Sequence, residues 1–183
     1  MHPSTTKATS PGRTRRPARS ISHGTTPQRS PVALQRTLRA PIEQVWKLWT
    51  TREGLQRWWG PEGFRSDVRR LEVRVGGPFE IVMTALAKEI IEHLTASGIG
   101  VRSVAKGRYT EVVRNQRLAF TNAIDFIPGV PAYQTLTTVA LSSTPAGETR
   151  LVVINGAMHD PAWTKMAKMG WEGQLVKLAA ACA

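Results

Sequence analysis

The chain is poor in the residues that staple small proteins or hold metals. Its one cysteine, Cys182, lies one residue from the end of a 183-residue sequence. A lone cysteine cannot close an intrachain disulfide or build a cysteine-based zinc site, so a reducing, cytoplasmic setting is expected. The four histidines, at positions 2, 23, 93 and 159, offer no pair at ligand spacing; no metal and no cofactor is expected. No apolar run approaches the roughly 18–20 residues that cross a bilayer, which argues against membrane insertion. The Gly76-Gly77 pair is not a phosphate loop, because no Lys-Ser/Thr follows it and the next segment reads as a strand.

Acidic residues are also scarce, and none precedes Glu43. The net charge of +12 suggests nucleic acid until it is mapped along the chain. Residues 1–31 hold Lys7, Arg13, Arg15, Arg16, Arg19 and Arg29, which is half of that excess. The same segment is rich in Ser, Thr, Pro and Gly, with Ile21 its one large aliphatic residue apart from Met1. It cannot bury enough apolar surface to offset its ordering entropy, so 1–31 is read as a disordered basic N-terminal arm. A solvated tail, a weak polyanion contact and a transit peptide compete as its role. Within the remainder, Arg65, Arg69, Arg70 and Arg74 form the densest basic run. A nucleic-acid surface needs exposed stacking aromatics beside such a run, so a solvated sheet face is the better reading and no specific nucleic acid is expected.

What is present from Val32 onward is patterned. Val32–Leu38 reads as a strand. Pro41 suits a helix start, and Ile42, Val45, Trp46 and Trp49 recur at helical spacing over 41–49. Thr50 or Thr51 caps a second short helix that buries Leu55, Trp58 and Trp59 and ends at Gly60-Pro61. Leu71, Val73 and Val75 alternate with charged residues, which predicts a half-buried strand before a turn at Gly76-Gly77-Pro78. Phe79, Ile81 and Met83 continue the alternation. Further strands are expected at 104–113, 117–125, 133–142 and 149–158, joined by short turns and therefore antiparallel. Leu86, Ile90 and Leu94 predict a helix inserted near 85–98. The last element has an N-cap at Asp160, a proline at 161 and an apolar stripe of Trp163, Ala167, Trp171, Leu175 and Leu178. Met166, Met169 and Val176 are expected to widen that stripe. Strands segregated from helices argue an α+β domain over 32–183, with the long helix lying across the concave face of an antiparallel sheet.

These residues resemble a known family. Ala40-Pro41-Ile42-Glu43-Gln44-Val45-Trp46, Leu55-Gln56-Arg57-Trp58-Trp59-Gly60-Pro61 and Val75-Gly76-Gly77-Pro78-Phe79 are similar to the opening signature of activator of heat-shock-protein-90 ATPase homologue-like proteins. These belong to the START-like, polyketide-cyclase (SRPBCC) superfamily. Gly107–Val112 with Arg117–Phe120 resembles its central hairpin, and Gly170-Trp171-Glu172 with Leu175 and Leu178 its closing helix. The resemblance implies the helix-grip fold: a curved antiparallel sheet wrapped around a long C-terminal helix, with two short helices after the first strand. It says little about function, since members include co-chaperone domains, cyclase-like enzymes and resistance proteins. The inserted helix near 85–98 and the 126–131 loop depart from the simplest members, and the resemblance implies that both flank a cavity mouth.

Trp58, Trp59, Phe79, Ile81, Met83, Phe120, Tyr133, Met158, Trp163, Met166 and Trp171 are the candidates to line a space between sheet and helix. Apolar walls carrying a few polar groups suit a small hydrophobic ligand, and methionines adapt to varied shapes. The plainer reading is that they pack only against each other. Acid–base candidates are sparse: His159 beside Asp160, and Asp125 before Phe126. Gly170 and Gly173 inside the last helix are read as sites of close packing against the sheet, with room for a ligand as the alternative. The leading expectation is a binding module for a small, largely hydrophobic molecule. A cyclase- or hydrolase-type enzyme in the same cavity and a chaperone-ATPase-interacting protein are the alternatives, and homodimer formation is left open.

Overall fold

The computed structural model describes residues 30–96, 100–127 and 129–183. The basic arm therefore lies outside the described residues, save its last two positions. Eleven elements follow in chain order: β1 (Val32–Leu38), α1 (Ile42–Thr50), α2 (Arg52–Trp58), β2 (Phe64–Leu71), β3 (Pro78–Ala85), α3 (Lys88–Ala96), β4 (Arg102–Val113), β5 (Arg117–Ile124), β6 (Tyr133–Ser143), β7 (Thr149–Asn155) and α4 (Pro161–Ala181). The strands form one curved, wholly antiparallel sheet in the order β1-β7-β6-β5-β4-β3-β2. This is the helix-grip α+β architecture.

Alternation aims one set of side chains at the helical layer: Leu34 and Leu38, Phe79 and Ile81, Leu118 and Phe120, Val139 and Leu141, Leu151 and Val153, all buried. Opposite them come Val45, Leu48 and Trp49 of α1, Leu55 and Trp58 of α2, and Trp171, Leu175 and Leu178 of α4. Complete burial of each such side chain is worth about 1.5–3 kcal/mol, so this layer carries most of the fold's cohesion. Thr51 caps α2, its hydroxyl accepting the Gly54 N–H at 3.0 Å. Gly60 then turns the chain at φ +89°. A Cβ there would sit 3.1 Å from both Ser66 Oγ and Met83 Sδ, so glycine meets a steric and a conformational demand at once.

Three expectations are corrected. The strand placed around Leu71–Val75 is instead Phe64–Leu71, and residues 72–77 form the turn into β3. Gly76 at φ +77° folds that turn back, its N–H donating to the Tyr109 carbonyl at 2.8 Å, while Val75 is left exposed. Strand β7 stops at Asn155 rather than reaching 158, because Gly156 bends toward Leu136 and the chain leaves the sheet. On α4, Met166, Met169 and Val176 are all largely exposed, so they do not join the buried stripe. The basic run is partly offset at the surface: Arg69 pairs with Asp67, and Glu72 holds both Arg70 and Arg74.

Candidate functional site

The two halves of α4 meet the sheet differently. From Trp171 onward the helix is packed down, with Trp171, Leu175, Leu178 and Ala181 buried. Before Trp171 it stands off, and a cavity of about 370 Å³ opens beneath it. That size falls within the roughly 300–1,000 Å³ of small-molecule sites. Trp163, Met166, Ala167, Gly170, Trp171 and Gln174 form the roof. Met83 on β3, Ser103 and Ala105 on β4, and Asn122, Thr135 and Asn155 on β5 to β7 contribute to the sheet side. Trp59 closes the deep end, where it meets Trp171 edge-on at 5.9 Å and neighbours Phe79 and Phe120, each at 6.3 Å. Phe126, exposed at the rim, leans edge-on against Trp163 at 6.1 Å.

The spacing of roof and floor is held from a distance. Gln174 Oε1 accepts the Gly60 N–H at 3.1 Å, and Lys177 Nζ donates to the carbonyls of Gly60 and Pro61 at 3.1 and 3.3 Å. These bonds fasten the middle of α4 to the turn after α2. At its start, Asp160 Oδ1 caps the helix by accepting the Trp163 N–H at 2.8 Å.

A polar row crosses the otherwise apolar floor. Asn122 donates to Thr137 Oγ1 at 2.9 Å, and Thr137 donates to Asn155 Oδ1 at 2.7 Å. Asn155 Nδ2 then donates to the Gly156 carbonyl at 3.2 Å. The register explains the row: Thr137 stands opposite Asn155, and Asn122 opposite Thr135, all on the inward face. At the rim Lys106 Nζ lies 2.7 Å from Asp125 Oδ2. The hydrogen bond to Lys106 holds the Asp125 carboxyl below the usual carboxylate range, and the same bond raises the Lys106 ammonium above its ordinary value.

Of the residues singled out from sequence, Trp59, Met83, Met158, Trp163, Met166 and Trp171 line this cavity. Phe79, Ile81 and Phe120 sit in the packed core beside it, around a void of only about 10 Å³. Trp58 is buried in the same core, its indole N–H donating to the Leu48 carbonyl at 2.9 Å. Tyr133 and His159 stand outside the lining, at the start of α4. There the Tyr133 hydroxyl is 3.2 Å from His159 Nδ1, and His159 Nε2 is 3.0 Å from Asp160 Oδ2. Asp125 reaches the site only through its ion pair with Lys106, which is itself a lining residue.

Two further expectations change. Close packing at Gly170 and Gly173 is overturned: a Cβ added at either would meet nothing within 4 Å. Gly170 instead borders the hollow. Among the described residues the inserted helix α3 contributes no lining residue, and its Ile90, with Ala87 just before the helix, lies near Gly63, whereas Phe126 of the 126–131 loop does stand at the mouth. Sequence reasoning missed Asn122, Thr135, Asn155 and Gln174. The available signal was parity, because each strand member lies in phase with apolar residues that face the core.

The region from 39 to 183 matches the family model described as Activator of Hsp90 ATPase homolog 1-like protein. The chain belongs to this family. A protein from Chromobacterium violaceum, known from an X-ray structure, is 28% identical, with a TM-score of 0.69 over 84% of this chain and 96% of its own. A protein from Nitrosomonas europaea is 27% identical at a TM-score of 0.62, covering 83% of this chain and 93% of its own. A protein of this family's name from Silicibacter pomeroyi shares the fold at 24% identity and a TM-score of 0.63, over 82% of this chain and 96% of its own. No curated protein matches the chain. In this family setting the cavity lies between sheet and closing helix, and no helix of the described residues is long and apolar enough to cross a membrane.

Proposed function

We propose that this protein encloses a small, largely apolar molecule in the cavity between the antiparallel sheet and α4, and acts as a binding module. The observation that carries the reading is the hollow of about 370 Å³ left between Trp163, Met166 and Gly170 above and Asn122, Thr135 and Asn155 below. The cavity opens to solvent beside Phe126, and an apolar molecule seated in it removes apolar wall from water, which is favourable. Its walls combine broad apolar surface with a few placed polar groups, as ligand sites do.

The enzyme reading has less support. Its best acid–base candidate, His159, is bonded to Tyr133 and Asp160 outside the lining, and the charged pair at the rim is already mutually satisfied. Native mass spectrometry of the purified protein tests the binding reading, together with thermal shifts against a panel of neutral hydrophobic compounds. A ligand that binds only the folded state raises the melting temperature by mass action. Absence of any co-purifying molecule and of any thermal shift would sink the proposal. Stimulation of a purified chaperone ATPase would favour the activity in the family's name instead.

A further inference from the structure

The polar floor has a direction. A backbone carbonyl can only accept, so the bond to Gly156 O fixes which end of the Asn155 amide is nitrogen. Asn155 Oδ1 must then accept, and the Thr137 hydroxyl spends its single proton there. Thr137 Oγ1 is left to accept, which turns the nitrogen of Asn122 toward it. The Asn122 amide is thereby locked with Oδ1 free, and among the described residues no donor is bonded to it. It is also absent from the buried unpaired atoms, so it is reached from open space, and Asn122 lines the cavity. The opposite wall is set by the same logic. The Gly60 N–H can only donate, so it claims Gln174 Oε1 and leaves Nε2 as a donor.

The charge of the site is equally constrained. Among the described residues Lys106 is the one charged side chain in the lining, and its ammonium is taken by Asp125 at 2.7 Å on the exposed rim. An ion placed deeper would lose its hydration without a counter-charge, which is costly.

We infer that the cavity selects a neutral molecule whose apolar body carries a hydroxyl or N–H group that donates to Asn122 Oδ1. This rests on the binding reading above and adds the polarity of the occupant. A molecule of the same shape that brings only an acceptor can pair with Gln174 Nε2 but leaves Asn122 Oδ1 without a donor, and so binds more weakly.

Three naphthalene probes of similar shape test this at neutral pH: 2-naphthol, which donates; 2-methoxynaphthalene, which only accepts; and 2-naphthoate, which is an anion. Dissociation constants come from quenching of tryptophan fluorescence, with amide NMR shifts to place each probe. 2-Naphthol is expected to bind about ten-fold more tightly than its methyl ether, and 2-naphthoate to bind most weakly. In Asn122→Leu the preference for the alcohol over the ether disappears while the ether still binds. Should that variant fail to fold by circular dichroism, Thr137→Val supplies the second test, because it releases the Asn122 amide to turn and shrinks the same preference. Equal binding of alcohol and ether by the unmodified protein overturns the inference alone, as does tightest binding of the naphthoate. If none of the three binds, the cavity reading falls and the inference falls with it.

Discussion

The indole of Trp49 lies 4.5 Å from that of Trp58, centroid to centroid, yet only one of the two has a partner for its N–H. Trp58 Nε1 donates to the Leu48 carbonyl at 2.9 Å, one of the α1 carbonyls left over where that helix ends. Trp49 Nε1 is buried with no partner among the described residues. Replacing each by Phe removes a similar volume but opposite polar consequences. Trp58→Phe orphans a buried carbonyl, whereas Trp49→Phe removes a donor that was already unsatisfied. Trp58→Phe is therefore expected to cost about 1 kcal/mol more than Trp49→Phe. Urea unfolding with matched slopes measures the difference, and equal losses would contradict the assignment.

The glycines of α4 can be improved upon, whereas that of β4 cannot. Gly170→Ala and Gly173→Ala should each stabilise by about 0.8–1 kcal/mol, raising the melting temperature by about 2–4 °C. Neither new methyl group meets an obstacle. Only Gly170 borders the cavity, so only its substitution should alter probe affinity. Gly107→Ala should do the reverse and cost about 2 kcal/mol or more, since its Cβ would lie 1.7 Å from the Thr121 carbonyl oxygen. Stabilisation at 107 would refute the packing described for β4 and β5.

The rim ion pair sets a pH dependence. Asp125 has its carboxyl pKa lowered by the hydrogen bond from Lys106, so its contribution is present above the unfolded-state pKa and is lost as pH falls through the folded one. Lys106 has its pKa raised by the same bond, so its contribution is full below the unfolded value and fades as pH rises through the folded one. The pair is thus intact across the neutral range. A carboxyl-carbon NMR titration should find Asp125 below the ordinary range, and Lys106→Met should return it there. An unmoved Asp125 in that variant would show that the pair does not form in solution.

The helix cap gives a fourth test. Asp160 accepts the Trp163 N–H and also faces His159. Asp160→Ala should cost about 1 kcal/mol. It should also speed amide exchange in the first two turns of α4 and leave the turns after Trp171 slow. Uniform acceleration along the helix would mean that the cap holds the whole element rather than its start.

The order of elements was legible because alternation and helical spacing are local properties, and they run through Val32–Leu38, Phe79–Met83 and the stripe from Trp163 to Leu178. Strand β2 was not. Its sequence, Phe-Arg-Ser-Asp-Val-Arg-Arg-Leu, has few apolar residues, and one of its inward positions is Ser66, buried and bonded to the Trp59 carbonyl at 2.6 Å. The neighbouring Leu71, Val73 and Val75 alternate more cleanly but belong to or adjoin a turn. The cavity was legible only as a set of apolar residues. Whether Trp163 and Met166 touch the sheet depends on how far α4 stands from it, and bonds between Gln174, Lys177 and the Gly60 turn, more than a hundred residues away in sequence, bear on that distance.

Helix α4 spans the hollow as a bridge held at both ends. It is packed down from Trp171 to Ala181, and at its start Trp163 and Ala167 pack against Ile124, Ile127 and Met158 while His159 bonds Tyr133. The span between these supports, around Gly170, is the part that faces open space. A molecule held there touches Trp171, which itself stacks on Trp49 and so ties the site to the packed core.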